Sequence, residues 1–198
     1  MKEKFLNDSV NLITRYNNTY TEDDIDKIKY GLEGLYLTVT KLIIIVLISI
    51  ILGIFKELIL VLIFFNIIRY PAFGVHADKS IICLITSTAM IIGLTFIMIN
   101  TTFPMTNKIV ISILCFIDYS LFAPADTIKR PLTNTKKRKY RKIASCIVAL
   151  IYIALIFTIK NRLLSNIILT ALVIEGILIN PYMYKLLGMP YDNYKKSV

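Results

Sequence analysis

Six long apolar stretches alternate with shorter polar ones along this chain: 35–55, 58–73, 81–99, 109–125, 143–159 and 163–180. A helix that crosses a bilayer needs roughly 20 mostly apolar residues, with about 17–25 tolerated, so each stretch reads as a membrane-spanning helix. The second is the weakest, because Arg69 and Pro71 interrupt it. Proline removes a backbone donor and disfavours helix at the residue before it. That stretch is therefore either a complete span or a broken, re-entrant one, which is permitted where protein or water satisfies the freed backbone groups. Ahead of the spans, Phe5, Val10, Leu12 and Ile13 fall at loosely helical spacing, and Thr21 with Glu22, Asp23 and Asp24 reads as an N-cap and acidic first turn. The pattern predicts an all-α, polytopic integral membrane bundle of about six transmembrane helices over 35–198, preceded by short amphipathic interfacial or cytoplasmic helices over 1–34. A cytoplasmic tail without fixed structure is the other reading of 1–34. Its seven acidic residues and lack of an early apolar core set it apart from a secretory signal.

Composition agrees with the pattern. Of 198 residues, 56% are hydrophobic and 18% charged, with a mean hydropathy of +0.67; soluble domains run near 45–50% and about 25%. A water-soluble globule and a disordered chain are both excluded. The net charge is +10, and its distribution sets a topology. With the N-terminus inside, eighteen Lys and Arg residues fall on the cytoplasmic side, and four (Lys56, Lys108, Lys160 and Arg162) fall outside. Lys41 lies within the first span and can snorkel. The positive-inside rule thus predicts a multi-pass protein of the bacterial cytoplasmic membrane with both termini cytoplasmic.

The most biased polar segment is 126–142, DTIKRPLTNTKKRKYRK, with eight cations against the single acid Asp126. It serves as topogenic charge against anionic lipid, as a docking surface for an acidic ligand, or as both. Tyr140 is its only aromatic residue, which argues against nucleic-acid binding. A single histidine excludes a multi-histidine zinc site, and no metal or cofactor is expected. Three cysteines inside apolar stretches form no disulfide framework.

Chemistry is concentrated in RYPAFGVHADKSIIC, 69–83, which holds the only histidine, His76, seven residues before Cys83. A thiolate nucleophile is usually activated by a neighbouring histidine. On one straight helix the two would lie about 10 Å apart, too far for direct proton transfer. Pro71 and Gly74 allow a loop instead, followed by a new helix with Asp78 as its N-cap and Cys83 in its first turns, where the helix dipole favours a thiolate. The bland reading is a boundary histidine reaching water and a cysteine acting as small apolar filler; Cys115 and Cys146 are read that way. Asp118 and Glu175 lie inside spans and must find partners, for which Lys41 and Arg69 are candidates. They serve either as interhelical packing contacts or, for one of them, as the group that orients His76. Composition alone leaves an enzyme nearly level with a small transporter or a peptide-binding scaffold.

At these residues the chain resembles the AgrB family, the integral-membrane cysteine endopeptidases of Gram-positive peptide quorum sensing. Two stretches carry the likeness: Arg69, Gly74, His76-Ala77 and Cys83, and the segment APADTIKRP at 123–131, which leads from a span into a basic loop. The resemblance implies that His76 and Cys83 are the catalytic pair and that Arg69 and Gly74 support them. It links Lys129 and Arg130 to processing, and the neighbouring Lys136, Lys137, Arg138 and Lys139 extend that basic surface for an acidic substrate tail. Phe73 departs from the pattern, since many members carry a second glycine there. The implied partners are an AgrD-like propeptide with an acidic C-terminal tail and a second copy of the protein. The implied activity is removal of that tail through a Cys83 acyl-thioester, from which the propeptide's own cysteine, or in some members serine, releases a cyclic thiolactone or lactone autoinducing peptide.

Overall fold

The computed structural model describes residues 2–16, 20–75, 80–127 and 131–195. Among these the fold is all-helical. Helix α1 spans Lys2–Tyr16, α2 Glu22–Ile51, α3 Phe55–Ala72 and α4 Ser80–Thr88. A π turn, Ala89–Gly93, joins α4 to α5, Leu94–Asn100; then come α6, Met105–Phe122, α7, Thr135–Thr158, α8, Arg162–Ile179, and the short α9, Pro181–Leu186. The chain divides into two compact units, Met1–Ile48 and Ser49–Val198.

In the first unit, α1 is the amphipathic helix that the spacing predicts. Lys2 reaches Glu33 at 2.6 Å, and the Phe5 ring lies 5.3 Å from that of Tyr36, holding α1 alongside α2. The second N-terminal helix is not a separate element. Thr21 and Asp24 exchange hydrogen bonds in a reciprocal cap, with the Asp24 amide donating to the Thr21 hydroxyl and the Thr21 amide to the Asp24 carboxylate. The helix then runs without a break through the first apolar stretch to Ile51. Gly31 and Gly34 weaken it locally, but no proline follows to end it, so the expected boundary at residue 34 falls inside α2.

Among the described residues, five helices are long and apolar enough to cross a membrane: Glu22–Ile51, Ile81–Asn100 (α4 through α5), Met105–Phe122, Thr135–Thr158 and Arg162–Ile179. The sixth expected span is α3. It is an unbroken 18-residue helix whose charges, Lys56, Glu57 and Arg69, sit in its end turns. Pro71 falls in its last turn, where the missing donor ends the helix instead of breaking it.

In the second unit α8 is the central helix. It contacts α3, α5, α6, α7 and α9, and 67% of its apolar window is buried, against 22% for α6 and for α7. Small and hydroxylated residues (Ser165, Thr170, Ala171 and Gly176) give it a slim buried surface, which lets neighbouring backbones approach. Polar side chains fasten that surface. Asn166 donates to the Met98 carbonyl at 2.8 Å, Tyr119 to the Leu172 carbonyl at 3.1 Å, and Asn180 to Asp118 at 3.3 Å. Lys108, expected in an outer loop, is instead buried in the first turn of α6 and donates to Ser165 at 2.7 Å. Asparagine caps start α7, α8 and α9: Asn134, Asn161 and Asn180 each accept an amide from the first turn.

Where α3 and α6 end, their exits interlock. The Ala125 amide donates to the Ala72 carbonyl and the Gly74 amide to the Ala125 carbonyl, both at 2.9 Å, forming a short parallel bridge at Phe73 and Ala125. Asp126, next in line, is buried and accepts the amides of Leu132, Asn193 and Tyr194. Tyr184 places its hydroxyl 3.0 Å from the carbonyl oxygens of both Ala125 and Asp126. Burial, with Asp126 adding its charge, holds that hydroxyl far above the usual tyrosine range, so it stays a donor at any physiological pH. Replacing Asp126 by Ala strands three backbone donors. The variant is expected to lose about 2–4 kcal/mol, read as a lower unfolding temperature of the detergent-solubilised protein; an unchanged temperature would contradict this role.

Candidate active site

Arg69, in the last turn of α3, meets Glu175 of α8. Its Nη1 lies 2.9 Å from Oε2 of Glu175, a side chain with no exposed surface. Of the two spans' acids, Glu175 thus pairs with one of the partners named from sequence, and Asp118 takes Asn180. The other guanidinium nitrogen of Arg69 lies 3.4 Å from the Val75 carbonyl. An ion pair inside an apolar bundle is costly to assemble, and removing one partner is costlier still, about 3–5 kcal/mol, because the other is left buried alone.

The chain passes directly over this pair. Phe73 and Gly74 both adopt positive φ, 66° and 123°, and turn the backbone out of α3. The Val75 amide then donates to the Leu178 carbonyl at 3.0 Å, pinning the turn to α8. A Cβ on Gly74 would stand 3.0 Å from Arg69 Nη1 and 3.2 Å from Glu175 Oε1, so glycine is required for its backbone angle and for the space. Phe73 carries a conformation that suits glycine better; the Arg141 guanidinium lies 4.3 Å from its ring centroid. Arg141 also donates to the Tyr70 carbonyl at 2.6 Å, tying the start of α7 to the end of α3.

Beyond Val75 the chain enters 76–79, which lies outside the described residues and takes with it His76 and the expected N-cap Asp78. It re-emerges in α4, a new helix as the loop argument requires, with Cys83 in its first turn, half-buried and free. Cys115 is buried, and the Cβ of an alanine at Gly176 would lie 3.7 Å from its sulfur, which suits a packing role.

The basic surface divides in two. Lys136, Lys137 and Lys139 are exposed on the first turns of α7. Arg138 is drawn back into the fold, over the Tyr194 ring at 3.5 Å and 3.8 Å from Asp192. Lys129 and Arg130 lie outside the described residues. Sequence reading missed Asp126 as an acceptor hub, and with it Tyr184, Asn193 and Tyr194; the signal available was one acid kept within a run of eight cations. It also counted Arg141 only as charge. Gly74→Ala is expected to destabilise the protein by roughly 1–3 kcal/mol, measured by thermal unfolding, with wild-type stability as the contrary result.

Comparison with known proteins gives a consistent answer. The family model described as Accessory gene regulator B matches residues 6–179. An AgrB-like protein of Listeria welshimeri is 35% identical over 177 residues, covering 88% of this chain and 86% of that protein. One of Clostridium acetobutylicum is 31% identical, covering 86% and 82%. Accessory gene regulator protein B of Staphylococcus carnosus is 32% identical over 135 residues, 68% and 70% of the two chains. No solved structure matches. The chain is an all-helical membrane protein that belongs to the accessory gene regulator B family.

Proposed function

We propose that this protein is a membrane-embedded cysteine endopeptidase that removes the C-terminal tail of a quorum-sensing propeptide and delivers a cyclic thiolactone. Family membership supports a role in the accessory gene regulator system. The observation that carries the finer reading is the backbone interlock of Gly74 and Ala125. It joins two stretches far apart in sequence: one leads to His76 and Cys83, and the other opens the basic segment. On this reading the stretch that leads to the cleavage residues and the segment that would dock an acidic tail are tied together at that interlock, at the end where α3 and α6 finish. By the distribution of cations that end is cytoplasmic, where a newly made propeptide is available. The transporter reading rested on Asp118 and Glu175, and both are engaged in interhelical contacts.

In the proposed reaction His76 takes the Cys83 thiol proton, and the thiolate attacks the carbonyl carbon at the tail junction. The C–N bond breaks, and the proton returns from His76 to the departing tail amine, leaving a Cys83 thioester. His76, neutral again, takes the proton of the propeptide's cysteine thiol, and that thiolate attacks the thioester; the bond to Cys83 breaks as the ring closes, and the Cys83 thiolate recovers the proton from His76. Thioester exchange is nearly balanced, whereas replacing an amide by a thioester is uphill, so removal of tail or product drives the sequence. Exclusion of water at the bilayer boundary favours ring closure over hydrolysis. A second copy of the chain is part of this proposal, on family resemblance alone.

Two experiments test it. In lipid vesicles with the cognate propeptide, wild type is expected to release the acidic tail, and Cys83→Ala and His76→Ala to lose that release by at least about 100-fold. Tail release persisting in Cys83→Ala would refute the nucleophile. Reversing the three exposed lysines together (Lys136→Glu, Lys137→Glu and Lys139→Glu) is expected to raise KM about tenfold with kcat little changed; an unchanged KM would sink the tail-docking surface.

A further inference from the structure

Glu175 carries more than a packing contact requires. It has no exposed surface, and only Oε2 is engaged, by Arg69; Oε1 has no hydrogen-bond partner among the described residues. A pair kept only for packing is replaceable by apolar side chains of similar volume, often with a gain in stability. What the pair holds is the turn above it. The unpartnered oxygen faces Gly74, 3.2 Å from where a Cβ would stand, and Arg69 extends the carboxylate's reach to the Val75 carbonyl at 3.4 Å. That carbonyl belongs to the peptide unit whose nitrogen is the backbone nitrogen of His76. Its other ties are the Val75 amide to Leu178 and the Gly74 amide to Ala125.

We propose that Glu175 is a positioning residue for the peptidase: through Arg69 it fixes the 74–75 turn from which the chain leads to His76, and the joint action of His76 and Cys83 depends on that turn. The inference rests on the Cys–His peptidase reading. The titratable and charged groups that share the surroundings of Glu175 are Arg69 from α3, Tyr119 from α6 and Tyr184 from α9. Arg69 is the one of these that reaches the turn toward His76.

The test uses the full chain in lipid vesicles and reads Cys83 itself. Alkylation of Cys83 by iodoacetamide is followed as a function of pH, with peptide mass mapping to separate it from Cys115 and Cys146. Tail release is measured in parallel. In wild type the alkylation midpoint is expected to lie about one pH unit or more below that of His76→Ala. Glu175→Gln is expected to move it to the His76→Ala position and to lower kcat about 100-fold with KM changed less than about threefold. Glu175→Asp restores part of both. The paired variant Arg69→Met with Glu175→Met, which leaves no lone buried charge, separates misfolding from mispositioning; it is expected to unfold near the wild-type temperature while showing the His76→Ala profile. A wild-type alkylation profile in Glu175→Gln or in the paired variant overturns the proposal by itself. Coincident profiles for wild type and His76→Ala, with no tail released, overturn it together with the peptidase reading.

Discussion

A charged pair inside an apolar bundle is the constraint on which the rest of this structure depends. Arg69 and Glu175 come from helices more than a hundred residues apart in sequence and meet at 2.9 Å. Neither charge is tolerable alone in that environment. Their meeting therefore fixes how α3 lies against α8, and the turn at Phe73 and Gly74 has to pass over them. Glycine suits that passage, since its φ of +123° strains other residues and a Cβ would stand 3.0 Å from Arg69 and 3.2 Å from Glu175. In this sense the glycine, the arginine and the glutamate form one unit, with a backbone angle, a cation and an anion each required by the other two.

From that unit the architecture distributes function. The turn is stitched to the exit of α6 by two backbone hydrogen bonds and to α8 by a third. Asp126 then gathers amides from the start of the basic segment and from the C-terminal residues. Arg141 closes the circuit by returning from α7 to the end of α3. The consequence is a cross-tied end of the bundle, from which the chain leads on to Cys83 in α4. Rigidity matters for the proposed chemistry, because proton transfer between histidine and cysteine needs heavy atoms near 3 Å and because the acyl-enzyme has to wait for the propeptide's own thiol without meeting water.

Much of this was legible in the chain. Apolar runs of bilayer length predicted the helical membrane fold, and Arg69, Gly74 and the segment at 123–131 pointed to the family. A break after Pro71 and a new helix before Cys83 followed from proline and glycine alone, and α3 does end at Ala72 with α4 starting at Ser80. What sequence could not reveal were pairings made only in three dimensions. Periodicity places Glu175 in a span but cannot say which cation it meets. Asp126 looked like a stray acid in a basic loop, because an acceptor of backbone amides leaves no pattern in side-chain chemistry. The N-terminal boundary was misplaced for a local reason: 22–34 is polar and 35–51 apolar, yet helix propensity continues across the change, so one helix serves both. Lys108 shows a related limit, since a lysine near a span's end reads as a loop cation until its serine partner is seen.

The central claim is that Cys83 carries the propeptide as a thioester. A propeptide whose ring-forming cysteine is replaced by alanine has no thiol to release that intermediate, so the acyl-enzyme accumulates. Intact-mass measurement of the vesicle-embedded protein after incubation with it is predicted to show one added mass, equal to the propeptide less its tail. That mass maps to Cys83 and is removed by neutral hydroxylamine. Release of the tail with no adduct on Cys83 would contradict the account.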